Sequence, residues 1–326
     1  MTNVVADFDS FHCIYRQGFV FTSVYGPANI LDAIVVRNPK QCDCWSPKKS
    51  FSERTLEEHI EIINRYKLER AVIIAEDIEF ITQCPTLKYL QIIPSDTAYS
   101  FDYSPLYKMP ELRYLSCRTS YGGCTEHIVT TIDYAKIHGL EELYLEGSGH
   151  QNYGQIKSLE RLVISNDKIN TDLQNINSNL NLKKLWIIQN KIKSLKGINQ
   201  LQNLQELSLD YNRVLHDISE ITSIASSLRA LYIENCPKIM DFSCLNQLPN
   251  LEHLELHGKN TLVNLGFLEK MPKLKTFSFS MKIQDGDLTP CLHVPYVHST
   301  KNRKEYNLRD KDLPKGKYVR ADGNIE

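Results

Sequence analysis

One phrase, Leu-x-x-Leu-x-Leu, recurs down most of this chain and constrains its fold more than any other feature. Clear copies begin at Leu140 (LEELYL), Leu159 (LERLVI), Leu182 (LKKLWI), Leu204 (LQELSL), Leu228 (LRALYI), Leu251 (LEHLEL) and Leu274 (LKTFSF). Their spacings are 19, 23, 22, 24, 23 and 23 residues. Apolar side chains at the first, fourth and sixth positions point into each coil, and the residues between them point outward. A single coil cannot bury its own apolar edge. Coils stacked about 4.8 Å apart share strand hydrogen bonds and merge their leucines into one core. The spacing therefore predicts a solenoid. Weaker copies at Leu31 (LDAIVV), Leu68 (LERAVI), Leu87 (LKYLQI) and Leu112 (LRYLSC), and a last one at Leu292 (LHVPYV), bring the expectation to 11–12 coils.

The segments between the strands repeat as well, as in SLKGINQLQN before Leu204 and DFSCLNQLPN before Leu251. An apolar pair followed by a short Leu-centred turn suits a return of 3₁₀ or brief helix. Position nine is Asn at Asn190 and Asn212, while Ser95, Ser120, Ser148, Asp167 and Cys236 stand there in other copies, so the asparagine column reads as mostly degenerate. With these residues in view, Leu182 to Asn212 resembles the leucine-rich repeat family, in the short 22-residue style of internalins and phosphatase-regulator repeats. The resemblance covers roughly Leu68 to Val297. It implies an α/β fold: a horseshoe-shaped solenoid with a parallel concave sheet and a convex side of 3₁₀ and short helices. On function this motif is nearly silent.

At 326 residues and 42% apolar content, the chain can bury a large core, spread along a line. We expect an N-terminal cap over 1–67, repeats over 68–299 and a C-terminal cap and tail over 300–326. A formal net charge of −1 gives no broad attraction to phosphates or anionic lipid, so neither a nucleic acid nor a membrane is the expected partner. The start, MTNVVADFDSFHC, lacks a basic segment followed by an apolar run, and no stretch approaches the roughly 20 apolar residues of a membrane span. Nine cysteines form no paired framework. A cytoplasmic location is the expectation that follows.

Three segments interrupt the repeats. Ser50 with Glu53 reads as a capping box opening a helix whose Leu56, Ile60 and Ile63 share one face. A second helix, Glu126 to His138, is expected to turn Ile128, Ile132 and Ala135 inward and to stop at Gly139; a third is expected near Asp217, where DISE offers another capping box. In the charged tail after Thr300, Tyr306, Leu308 and Leu313 are candidates to pack on the last coil.

Catalytic and metal chemistry find little support. Cys42 and Cys44 form half of a metal site, with no second pair at matching spacing. His253, Glu255 and His257 alternate along one strand and so share a face, which offers two imidazoles and a carboxylate to a metal or to acid–base work. No nucleophile stands near them, however, and no cofactor, metal or catalytic residue is expected. Gly147-Ser148-Gly149 lacks the Lys and third Gly of a phosphate loop and reads as a turn.

The outward columns carry the remaining information. Between the second and third Leu stand Tyr144, Trp186, Tyr232, Glu255 and Tyr296; two residues later come Glu146, Ile188, Asp210, Glu234 and His257. Exposed aromatics anchor protein interfaces, and the acidic middle would draw a basic partner. The reading is a non-enzymatic protein-binding scaffold that uses Tyr144, Glu146, Trp186, Ile188, Asp210, Tyr232, Glu234, Glu255 and His257. The family resemblance offers two kinds of partner: a toxin neutralised by an immunity-type repeat protein, or an enzyme such as a phosphatase held by a regulatory subunit. Metal-dependent or acid–base activity at His253, Glu255 and His257 is the third alternative.

Overall fold

The computed structural model describes residues 33–37, 55–94, 101–118, 132–147, 150–176 and 178–318. They belong to two compact units, Met1–Leu159 and Glu160–Glu326. In the first, β1 (Ala33–Arg37), β2 (Arg70–Ala75), β3 (Tyr89–Pro94), β4 (Tyr114–Arg118) and β5 (Glu142–Glu146) pair in parallel and in sequence order. The fourth motif position sets the register: Ile34 lies beside Ala71, Ala71 beside Leu90, Leu90 beside Leu115, and Leu115 beside Leu143. The weak copies at Leu31 and Leu68 are therefore true strands.

Helix α1 (Leu56–Tyr66) precedes β2. Its capping box is Thr55 with Glu58: the threonine hydroxyl accepts from the Glu58 N–H, and the Glu58 carboxylate accepts from the Thr55 N–H at 2.6 Å. Ser50 and Glu53, expected in that role, lie outside the described residues. The buried face runs through His59 and Ile63, with Ile60 half-buried, whereas Leu56, the first residue of the helix, is 43% exposed. The expected helix from Glu126 to His138 is corrected in its described part. Residues Tyr134–Lys136 make a 3₁₀ turn, with Ile132, Tyr134 and Ile137 buried and Ala135 only partly so. Asp133 accepts from the Ala135 N–H, a local bond that competes with a longer helix. The turn ends at Lys136, capped by Ile137 rather than at Gly139, whose positive φ of 80° lies in the following link to β5.

In the second unit β6 (Arg161–Ser165), β7 (Lys184–Ile188), β8 (Glu206–Asp210), β9 (Ala230–Glu234), β10 (His253–His257), a two-residue β11 (Thr261–Leu262), β12 (Thr276–Phe279), a two-residue β13 (Lys282–Ile283) and β14 (Tyr296–Ser299) follow in order. β6 to β10, β12 and β14 form parallel neighbours, and β11 pairs separately with β13. The return segments are 3₁₀ turns, as at Ile198–Gln200, Ser243–Gln247 and Gly266–Lys270. Leu207, Leu231 and Leu254 in the fourth position, with Leu209, Ile233 and Leu256 in the sixth, are at most 1% exposed. The last copy is out of register with its reading. Phe277 pairs with Val297, so the repeat starts at Val294, which is buried, and Leu292 is 50% exposed. Beyond it, Tyr306 and Leu313 bury themselves against the end of the unit, the Tyr306 hydroxyl accepting from the Ile283 N–H at 3.0 Å.

The turn at Asp217 is not a capping box. Asp217 accepts from the N–H and hydroxyl of Ser219, while Glu220 accepts from the Gly197 N–H. The same turn recurs at Asp172, Asp241, Asn264 and Asp287, each accepting from the N–H two residues on. These hydrogen bonds hold Asp217, Asp241 and Asp287 below the usual carboxylate range. At the other end of each strand, position eight turns left-handed: Asn166, Gln189, Tyr211 and Asn235 have φ between 50° and 59°, and Gly258 has φ 145°.

Position nine holds the repeats together more fully than its composition suggested. Asn212 donates to the Ile187 carbonyl at 2.7 Å and accepts from the Asn190 N–H; Asn190 donates to the Ile164 carbonyl and accepts from the Asp167 N–H. Cys236 substitutes by donating its thiol to the Leu209 carbonyl. In the next repeat Asn260, one residue late after Gly258, donates to the carbonyls of Cys236 and Ile239. The described cysteines, Cys84, Cys117, Cys236, Cys244 and Cys291, are buried free thiols.

Candidate protein-binding face

Alternation along each strand sends positions three, five and seven to the outward face of the sheet. In the second unit this face carries Trp186 and Ile188 on β7, Ser208 and Asp210 on β8, Tyr232 and Glu234 on β9, and Glu255 and His257 on β10. Register aligns them: Trp186 stands beside Ser208, Ser208 beside Tyr232, and Tyr232 beside Glu255; one step on, Ile188, Asp210, Glu234 and His257 form a parallel row. Tyr144 and Glu146 sit on β5 of the first unit, in the matching positions, both half-buried.

The aromatics are less exposed than their outward direction implies. Trp186 and Tyr232 are half-buried. The Trp186 indole N–H donates to Glu206 Oε1 at 3.0 Å, and the other oxygen of Glu206 pairs with Lys184 Nζ at 2.9 Å. Glu206, 7% exposed, occupies position three, which the two-column reading of the face left out. Strand parity alone identifies it, since it lies two residues before Ser208. Small side chains at Ser208 and Ser278, both buried, leave room for the larger groups beside them.

Three carboxylates occupy consecutive strands: Asp210, Glu234 and Glu255. None pairs with a Lys or Arg among the described residues. Asp210 accepts from the Ser208 hydroxyl at 3.0 Å. Glu234 accepts from the Tyr211 hydroxyl at 2.9 Å and the Asn235 amide at 3.0 Å. Glu255 lies 3.6 Å from His257 and within 3.4 Å of the Tyr318 hydroxyl. Burial pushes the Asp210 carboxyl up to about 6, and the charges of Glu234 and Glu255 push in the same direction against the Ser208 hydrogen bond. The face thus concentrates negative charge that its own structure leaves uncompensated.

Of His253, Glu255 and His257, only Glu255 and His257 approach one another. His253 is 6% exposed and its imidazole is pushed toward the neutral form by burial. His257 turns to the Ser278 hydroxyl at 3.2 Å. No group of three or more His, Cys, Asp or Glu among the described residues is arranged to hold a metal ion. Cys42 and Cys44 lie outside the described residues. The register of β14 replaces Tyr296 by His298 at position five.

No protein-family model matches the chain, and no curated protein matches its sequence. Solved structures do. TLR13, in its complex with ssRNA13, is 18% identical with a TM-score of 0.50; the match covers 70% of this chain and 37% of TLR13. An internalin of Listeria monocytogenes is 15% identical over 72% of this chain and 73% of its own, with a TM-score of 0.47. A leucine-rich repeat protein of Leptospira interrogans is 16% identical over 74% and 75%, with a TM-score of 0.42. The chain has the leucine-rich repeat fold: parallel short strands in motif register, joined by 3₁₀ turns. No helix among the described residues is long and apolar enough to cross a membrane. With an RNA complex among structures of this fold, the fold does not itself exclude nucleic acid.

Proposed function

We propose that the outward sheet face of the second unit binds a basic protein, with Trp186, Ile188, Asp210, Tyr232 and Glu234 at the centre of the contact and Glu255 and His257 at its edge. On the first unit, Tyr144 and Glu146 occupy the corresponding motif positions of β5 and are proposed as contacts of that unit's own sheet face. The supporting observation is the cluster of Asp210, Glu234 and Glu255 on successive strands without a cationic partner among the described residues. Holding like charges together costs stability, and a protein that bears this cost without a functional return is at a disadvantage. Lysines or arginines of a partner would relieve it, while the half-buried Trp186 and Tyr232 supply rigid apolar contact. Binding rather than catalysis is the activity this face supports.

Within that class, a nuclease-type toxin with a basic cleft fits the acidic face best, which makes the chain an immunity-type protein. To test the reading, wild-type protein and an Asp210→Lys, Glu234→Lys variant are used as baits in an extract of the source organism, with both folds verified by circular dichroism. A basic protein held by wild type and lost by the variant supports the proposal, and its identity decides between toxin and enzyme client. Equal recovery by both baits overturns the assignment of the face.

A further inference from the structure

A second charged feature lies off the sheet face, on the loop edge where the second unit's strands turn. Position ten, two residues after the left-handed residue, is basic in three successive repeats: Lys168, Lys191 and Arg213. Stacked repeats set neighbouring positions about 5 Å apart. The column is confined to these repeats, since Pro237 and Asn260 follow it. All three cations are exposed, and Lys191 and Arg213 form no ion pair with any described residue. Lys168 Nζ is steered toward the next repeat by donating to the Gln189 carbonyl at 3.0 Å and to Asn166 Oδ1 at 3.4 Å.

The three cations line a cleft of about 390 Å³, with Gln189 and Tyr211 in its wall. Both wall residues hold a left-handed backbone at φ 56°, where the flanking repeats use Asn166, Asn235 and Gly258. Large side chains bear a cost in that conformation that Gly or Asn largely avoids. The Tyr211 ring is fixed in place by its hydroxyl's bond to Glu234. No carboxylate lines the cleft: Asp167, beside Lys168 in the chain, is buried and accepts from the Ile169 N–H and the Asn170 amide, and Glu234 reaches the wall only through the Tyr211 hydroxyl. By contrast, the larger groove of about 510 Å³ around Gly197 combines Lys196 with Glu220 and gains no net charge from them.

We infer that this cleft binds a small anion carrying two or three linked phosphoryl groups. Its volume suits a small ligand, its cations repeat at a spacing that can follow a chain of oxyanions, and it offers no carboxylate to repel them. The three cations lie off the sheet face, and the cleft shares one contact with it, the hydrogen bond from Tyr211 to Glu234. Tripolyphosphate is the probe, titrated calorimetrically at low salt into wild type, a Lys191→Gln, Arg213→Gln variant, a Tyr211→Asn variant that keeps the left-handed turn, and a Lys270→Gln control on a distant 3₁₀ turn. Wild type and Lys270→Gln are expected to bind alike. The double variant and Tyr211→Asn should each bind about tenfold more weakly or worse, with melting temperatures near wild type. No binding by wild type, equal binding by the double variant, or equally tight binding of hexaglutamate by wild type would each overturn the inference. The Lys191→Gln, Arg213→Gln variant leaves every sheet-face residue in place, so failure here is separable from failure there.

Discussion

Asp210 is the residue whose state most directly reports the character of the sheet face. Its folded pKa of about 6 lies above the value near 3.9 of an unfolded aspartate. The folded protein therefore holds more protons than the unfolded chain between about pH 4 and 6, so stability falls as pH rises through that window. The cost is fully present above it. Asp210→Asn should stabilise the fold by about 1–2 kcal/mol at neutral pH and give little gain at pH 4, measured by urea unfolding at both. An equal effect at the two pH values would remove the electrostatic explanation. Trp186 calls for a different expectation. The sequence makes its outward direction and aromatic character legible, but not its tie to Glu206, which depends on a strand neighbour 20 residues away. Trp186→Ala should thus cost about 2 kcal/mol of stability as well as affinity, through lost packing and a buried carboxylate missing a donor. Unchanged stability would mean the indole bond is absent in solution.

At the scale of the strand and its turn, the leucine phrase made nearly every repeat legible, since apolar spacing and strand register are the same constraint. It failed where a weaker residue does the work. Val294, not Leu292, starts the last repeat, because pairing of Val297 with Phe277 decides the register and a side chain's greater apolarity does not. Asn260 escaped notice because one added residue moved it to position ten, and only its bonds to Cys236 and Ile239 reveal its role. The aspartate turns have a spacing of their own, with Asp172, Asp217, Asp241, Asn264 and Asp287 each 13 residues after the first leucine of their repeat, and the capping-box pattern at Asp217 alone hides it. Among these elements the asparagine ladder gives the sharpest prediction. Asn212→Ala leaves the Ile187 carbonyl and the Asn190 N–H without their partner in a fully buried site, and should cost about 2–4 kcal/mol by denaturant unfolding. A loss below 0.5 kcal/mol, on the order of a surface substitution, would show that water or a neighbour takes over both bonds.

Across the molecule, a net charge of −1 conceals segregation. In the second unit the sheet face gathers Asp210, Glu234 and Glu255, while the loop edge gathers Lys168, Lys191 and Arg213. Composition averages these away. Repeat position recovers them, because each column of the motif maps to one side of the fold. The partner remains out of reach of both sequence and fold, since the same repeat framework presents different columns to different ligands. Hydrogen–deuterium exchange on the complex with the captured basic protein tests the central claim most directly. Binding should slow exchange in residues 184–188, 206–210, 230–234 and 253–257 of the sheet and leave the 3₁₀ turns at 198–200, 219–224 and 243–247 unchanged. Protection confined to those turns, with the strands unaffected, would contradict it.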